Sequence, residues 1–129
     1  MNRAYNPAAV APPPGTYSHG VEVRAGARLV FTAGQVGRAP DGTIPDGIEA
    51  QTEQAWKNVV NVLAGSGMGV ADIVKLSMLL VDTADLDGFF GVNERFLGDH
   101  RPASTLMVLK SLARPQLLVE IEAVAARSD

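Results

Sequence analysis

The chain has no cysteine, which excludes disulfides, thiolate nucleophiles and cysteine-ligated metals together. Histidine is nearly as scarce: His19 and His100 are the two present, without the short spacing that presents paired imidazoles to a metal. Positive charge is in deficit, with a formal net charge of −3 and a pI near 5.3. This leaves no broad cationic footprint for a phosphate backbone, so nucleic acid is not an expected partner. No run approaches the roughly 18 apolar residues of a membrane span, and Met1 to Pro7 lacks a signal peptide's apolar core. The expected setting is the cytoplasm, with no metal or cofactor. Aromatics make up only 5% of the residues, and Trp56, Phe89 and Phe90 fall at helical positions, where they read as core packing rather than a base-stacking platform.

What is present describes a folded chain. The 129 residues are 47% hydrophobic and 19% charged, near the globular average, and predict a single domain over 1–129. Four of the eight prolines fall between Pro7 and Gly15, so residues 1–16 read as an extended leader. Val21 to Arg24 alternates, Gly26 supplies a turn, and Arg28 to Ala33 is apolar and β-branched, which predicts a hairpin of two strands. Gly37 to Gly47, with two Pro-Asp-Gly triplets, is a loop.

Ile48, Ala55, Val59, Val62 and Leu63 follow helical spacing, with Glu49, Gln51, Glu53, Gln54 and Lys57 on other faces, predicting a helix over 48–64. Ile73 to Val81 reads as a central strand covered on both faces. A second helix starts near Asp82 to Asp85 and runs to Gly98, with Gly88 and Gly91 against it. Ser104 to Leu109 and Leu118 to Ala125 complete the order β-β-α-β-α-β-β, an α+β domain with two helices on one face of a mixed sheet. In the last strand, Val119, Ile121, Ala123 and Ala125 share one side while Leu118, Glu120, Glu122 and Val124 share the other. Both sides of Ser104 to Leu109 are largely apolar, which predicts an oligomer.

Six segments carry a family likeness: Gly15 to Gly20, Phe31 to Gln35, Gln51 to Val59, Val92 to Glu94, Arg101 to Ala103 and Val119 to Ala125. In this order, spanning nearly the whole chain, they resemble the RidA (YjgF/UK-type) family. The resemblance implies a chorismate-mutase-like α+β fold, assembled as a homotrimer with small-molecule clefts between subunits. Many members hydrolyse enamines and imines formed from amino acids. In them an arginine binds the substrate carboxylate, a glutamate on the last strand holds the attacking water, and a tyrosine and backbone amides complete the pocket.

Carried over by motif, the resemblance assigns the water to Glu120 and the pocket to Tyr17, Gly34 and Asn93. Ala33 stands where a serine is usual, Leu106 also departs from the pattern, and Ser104 stands where the arginine belongs. A guanidinium holds a carboxylate through two parallel charge-assisted bonds, whereas a serine offers one neutral donor. The difference is about 2 kcal/mol, roughly thirtyfold in affinity. Arg101, Lys110 and Arg114 are the cations nearest in sequence, and each reads first as a solvated loop or strand-end residue. His19 reads as a turn-packing residue beside Tyr17. Three functions follow: hydrolysis of an enamine or imine other than the usual 2-imino acids, metabolite binding without turnover, and, least supported, ribonuclease activity.

Overall fold

The apolar spacing from Ile48 to Leu63 does build a helix: the computed structural model, which describes residues 1–129, has α1 at Ile48–Ala64. Gly67, at φ 70°, reverses the chain, and the Met68 amide returns to the Leu63 carbonyl at 3.0 Å. A second helix, α2, spans Leu86–Leu97 and is led in by Asp82, whose carboxylate accepts from the Ala84 N–H at 2.9 Å. Gly88 lies inside it for a packing reason. A Cβ there would stand 2.7 Å from Ile48 Cγ2, so the glycine lets α2 approach the start of α1.

Seven strands accompany the helices: β1 (Arg3–Tyr5), β2 (Gly20–Glu22), β3 (Arg28–Phe31), β4 (Gln35–Val36), β5 (Ile73–Leu80), β6 (Ala103–Val108) and β7 (Val119–Arg127). The main sheet runs β3-β7-β5-β6, with β4 also paired to β7. Only β5 and β6 are parallel, the crossover between them being α2. β5 is interior, as its apolar run predicts. One sheet face, with Leu76, Met78, Leu80, Val119, Ile121, Ala123 and Ala125, closes on Ala55, Trp56, Val59, Leu63, Phe89 and Leu97 of the helices. Trp56 stacks on Phe96 at 5.4 Å and donates to Asn93 Oδ1 at 3.1 Å. The other face has no helix on it. There Phe31 is 70% exposed, Leu29 51% and Met107 45%, beside Glu120, Glu122 and Lys75, whose ammonium donates to Thr105 Oγ1 at 2.7 Å.

The predicted hairpin does not form. β2 pairs with β1 in a separate two-stranded sheet, and β3 pairs with β7. Alternation identified the strands but not their partners, and β7 is long enough to take β3 and β4 end to end. The leader also does more than run extended, since it contributes β1 and makes a turn in which the Val10 amide bonds the Pro7 carbonyl. Gln51 is not on a solvent face as its polarity suggests. It is buried, its amide donating to the Pro45 and Gln116 carbonyls at 3.1 and 2.9 Å and accepting from the Leu118 N–H at 2.9 Å. These bonds satisfy backbone groups of three residues in two segments and fix the entry to β7, two residues ahead of Glu120.

Candidate functional site

Glu120 pairs with Leu79 of β5 and Val36 of β4, and its neighbours Val119 and Ile121 point into the core, so its carboxylate rises from the open face. Thr32 sets the chain above it. The Thr32 N–H donates to the Ala123 carbonyl at 2.9 Å, and its hydroxyl accepts from the Ala123 N–H at 3.0 Å. Ala33 follows, and Gly34 then passes against Glu120. A Cβ on Gly34 would stand 2.7 Å from both Cδ and Oε2 of Glu120, so the carboxylate rests against bare backbone. Glu120 has no ion-pair partner within the chain.

A second group assembles on the opposite face. Ser104 pairs with Leu76, and Leu106 with Met78, so both point to the helix side. Between β6 and α2 lies a cavity of about 530 Å³, bounded by Tyr17, Phe90, Asn93, Glu94, Ser104 and Leu106 among others. The leader forms its outer wall because Ser18 extends the sheet: its N–H donates to the Pro102 carbonyl at 3.1 Å, and it bridges to Ala103. Tyr17 is thereby brought to the wall of the cavity that Ser104 also lines. His19 packs edge-on against the Tyr17 ring at 5.7 Å and is tied to the Ala11 carbonyl at 2.6 Å, the turn-packing role its position predicts. Asn93 is buried, its carbonyl oxygen held by Trp56.

The residues singled out by sequence thus fall into two groups, Ala33, Gly34 and Glu120 on one face and Tyr17, Asn93, Ser104 and Leu106 on the other. One molecule cannot touch both groups of a single subunit, because the β5–β7 core separates them. Arg101 does not approach Ser104. Its guanidinium turns back to the Gly98 and His100 carbonyls at 2.6 and 3.0 Å, and it lines a different cavity near the chain ends. Lys110 and Arg114 are exposed. Phe90 and Glu94 were not foreseen as lining residues, although their i, i+3, i+4 relation with Asn93 places all three on one helix face. No three acidic or histidine side chains converge as a metal cluster would.

Asp41 is held below the ordinary carboxylate range by hydrogen bonds from the Thr43 hydroxyl and N–H. Arg28 is raised and Asp129 lowered chiefly by the hydrogen bond between them, with their Coulomb attraction adding to it.

The Endoribonuclease L-PSP family model matches residues 8–127. The chain belongs to the RidA (YjgF) family. Its relatives include protein HMF1 of Saccharomyces cerevisiae, 32% identical over 124 residues, which cover 95% of this chain and 90% of HMF1. Another is the 2-iminobutanoate/2-iminopropanoate deaminase of Escherichia coli, 30% identical over 125 residues, covering 94% of this chain and 91% of that protein. Among solved structures, the Rid-family protein YyfB of Yersinia pestis superposes with a TM-score of 0.86 at 32% identity, covering 98% of both chains. The RidA fold expected from the six sequence segments is therefore the fold found, with two helices on one face of a mixed sheet.

Proposed function

We propose that the chain is a hydrolase of an imine or enamine metabolite, acting in clefts between the subunits of a homotrimer. The observation that carries this reading is the division of the site. The Gly34–Glu120 group and the Tyr17–Asn93–Ser104 group lie on opposite faces of one subunit, so each needs the complementary group of a neighbour. The exposed Leu29, Phe31 and Met107 beside Glu120 supply apolar surface for such a contact. The kinship with a deaminase of 2-imino acids supports the reaction class.

In the cleft, Glu120 accepts a proton from water as the oxygen attacks the imine carbon, then returns it to the departing nitrogen. The C=N bond is exchanged for C=O and ammonia leaves. Ser104 cannot clamp a carboxylate as an arginine does, and no other cation lines its cavity. Ammonia release from freshly generated 2-iminobutanoate is therefore expected to be slow, and Ser104→Arg is expected to raise kcat/KM by roughly thirtyfold. Unmodified protein turning over as fast as an arginine-containing relative would overturn the assignment of Ser104. The missing arginine also favours a second reading, a trimer that binds a metabolite without turnover. Saturable binding of imine analogues without ammonia release from any imine would select it. For ribonuclease activity neither group offers a histidine pair or a basic track to position a phosphodiester.

A further inference from the structure

The cavity beside Ser104 holds one charged side chain, the Glu94 carboxylate. Tyr17, Asn93 and Ser104 add neutral polar groups, and Met78 and Leu106 add apolar wall. The cations that could offset Glu94 are directed elsewhere. Arg101 is engaged by the Gly98 and His100 carbonyls. Arg95 follows Glu94 in sequence but lines another groove, with Asp46 and Glu53. Arg38 shares a groove with Gly34, yet its guanidinium lies along the turn at Gly42, where a Cβ would meet Nη2 at 3.5 Å.

We infer that this cavity selects a ligand that carries no carboxylate and bears a positive charge: the iminium of a primary amine, R–CH=NH₂⁺, or the amine itself. The inference rests on the reading that a neighbouring subunit brings Glu120 to the same cleft, which adds a second carboxylate, while Lys75 on that face is bonded to Thr105 Oγ1. A carboxylate substrate would then meet two like charges, whereas an iminium meets two opposite ones. Glu94 is exposed to solvent, so its effect is screened. One such charge favours a cation over an anion of similar size by about tenfold.

The chemistry follows from the ligand. In R–CH=NH₂⁺ + H₂O → R–CHO + NH₄⁺, oxygen replaces nitrogen on the carbon and both water protons finish on nitrogen, carried by Glu120. Protonation makes the carbon electrophilic, and Glu94 favours that protonated form without touching the reacting bond. The reaction that must supply such a substrate is the two-electron oxidation of a primary amine.

NMR titration of the full-length protein with butylammonium, butanamide and butanoate tests the inference directly. Butylammonium is expected to shift the Tyr17, Asn93 and Ser104 amides and to bind about tenfold tighter than butanoate. Glu94→Gln should lower that ratio severalfold, and Ser104→Arg should reverse the order. Butanoate binding as tightly as butylammonium, no saturable binding of any probe, or a ratio untouched by Glu94→Gln would each overturn it. Ammonia release measured in parallel separates this result from the hydrolase reading. A cation preference without turnover sinks only the reaction, and turnover with butanoate preferred sinks only the substrate class.

Discussion

Glu120→Gln is expected to lower imine turnover by about 100-fold to 10,000-fold, the range for removal of a positioned general base. The amide keeps the size and planarity of the carboxylate, so it still fits against the bare backbone of Gly34. It cannot take the proton that water must give up as it attacks the imine carbon. Stability should barely change, because Glu120 is only half-buried and its carboxylate has no ion-pair partner within the chain to abandon. Ammonia release paired with a thermal melt separates the two effects. A variant that melts normally and turns over at the unmodified rate would remove Glu120 from the chemistry.

Trp56→Ala is expected to cost about 3–5 kcal/mol in denaturant unfolding, a factor of roughly 150 to several thousand in the folding equilibrium. Trp56 is fully buried and stacks on Phe96 with ring planes 7° apart, so truncation empties the seam between α1 and α2. It also strips Asn93 Oδ1 of its donor. Trp56→Phe isolates that part, keeping most of the ring and losing about 1–3 kcal/mol for the stranded acceptor. Because Asn93 walls the Ser104 cavity, ligand binding should weaken in the same variant. A loss below about 1 kcal/mol for Trp56→Ala would contradict the core role read from its helical position.

The elements legible in the sequence are those whose periodicity is local. Helix α1 has the predicted bounds, and the apolar run of β5 announces an interior strand. What local pattern lacks is the partner. Val21 and the segment from Arg28 flank Gly26, whose positive φ does make a turn, yet the strands leave it for different sheets. Gln51 misled for a related reason. A polar residue among apolar ones reads as solvent-facing unless the backbone groups it satisfies, at Pro45, Gln116 and Leu118, are known to surround it.

At the site, the family segments marked Glu120, Gly34, Tyr17, Asn93 and Ser104 by type and order. Strand alternation put Glu120 on the side opposite the core. Neither could say that Ser104 faces the other way, since that depends on its parallel register with β5. Nor could sequence distance decide Arg101, three residues from Ser104 but turned back by carbonyls at the end of α2.

The proposed division of the site between neighbouring subunits is tested most directly by mixing two inactive proteins. Glu120→Gln destroys one group, and Ser104→Trp blocks the cavity of the other. The two variants are co-refolded in equal amounts, sedimentation is used to verify assemblies of three subunits, and ammonia release is measured from an imine the unmodified protein hydrolyses. If each cleft takes Glu120 from one subunit and the Ser104 cavity from the next, about a quarter of the clefts in randomly mixed trimers are intact, and activity should return to that fraction. Mixed trimers as inactive as the separate variants would contradict the shared cleft.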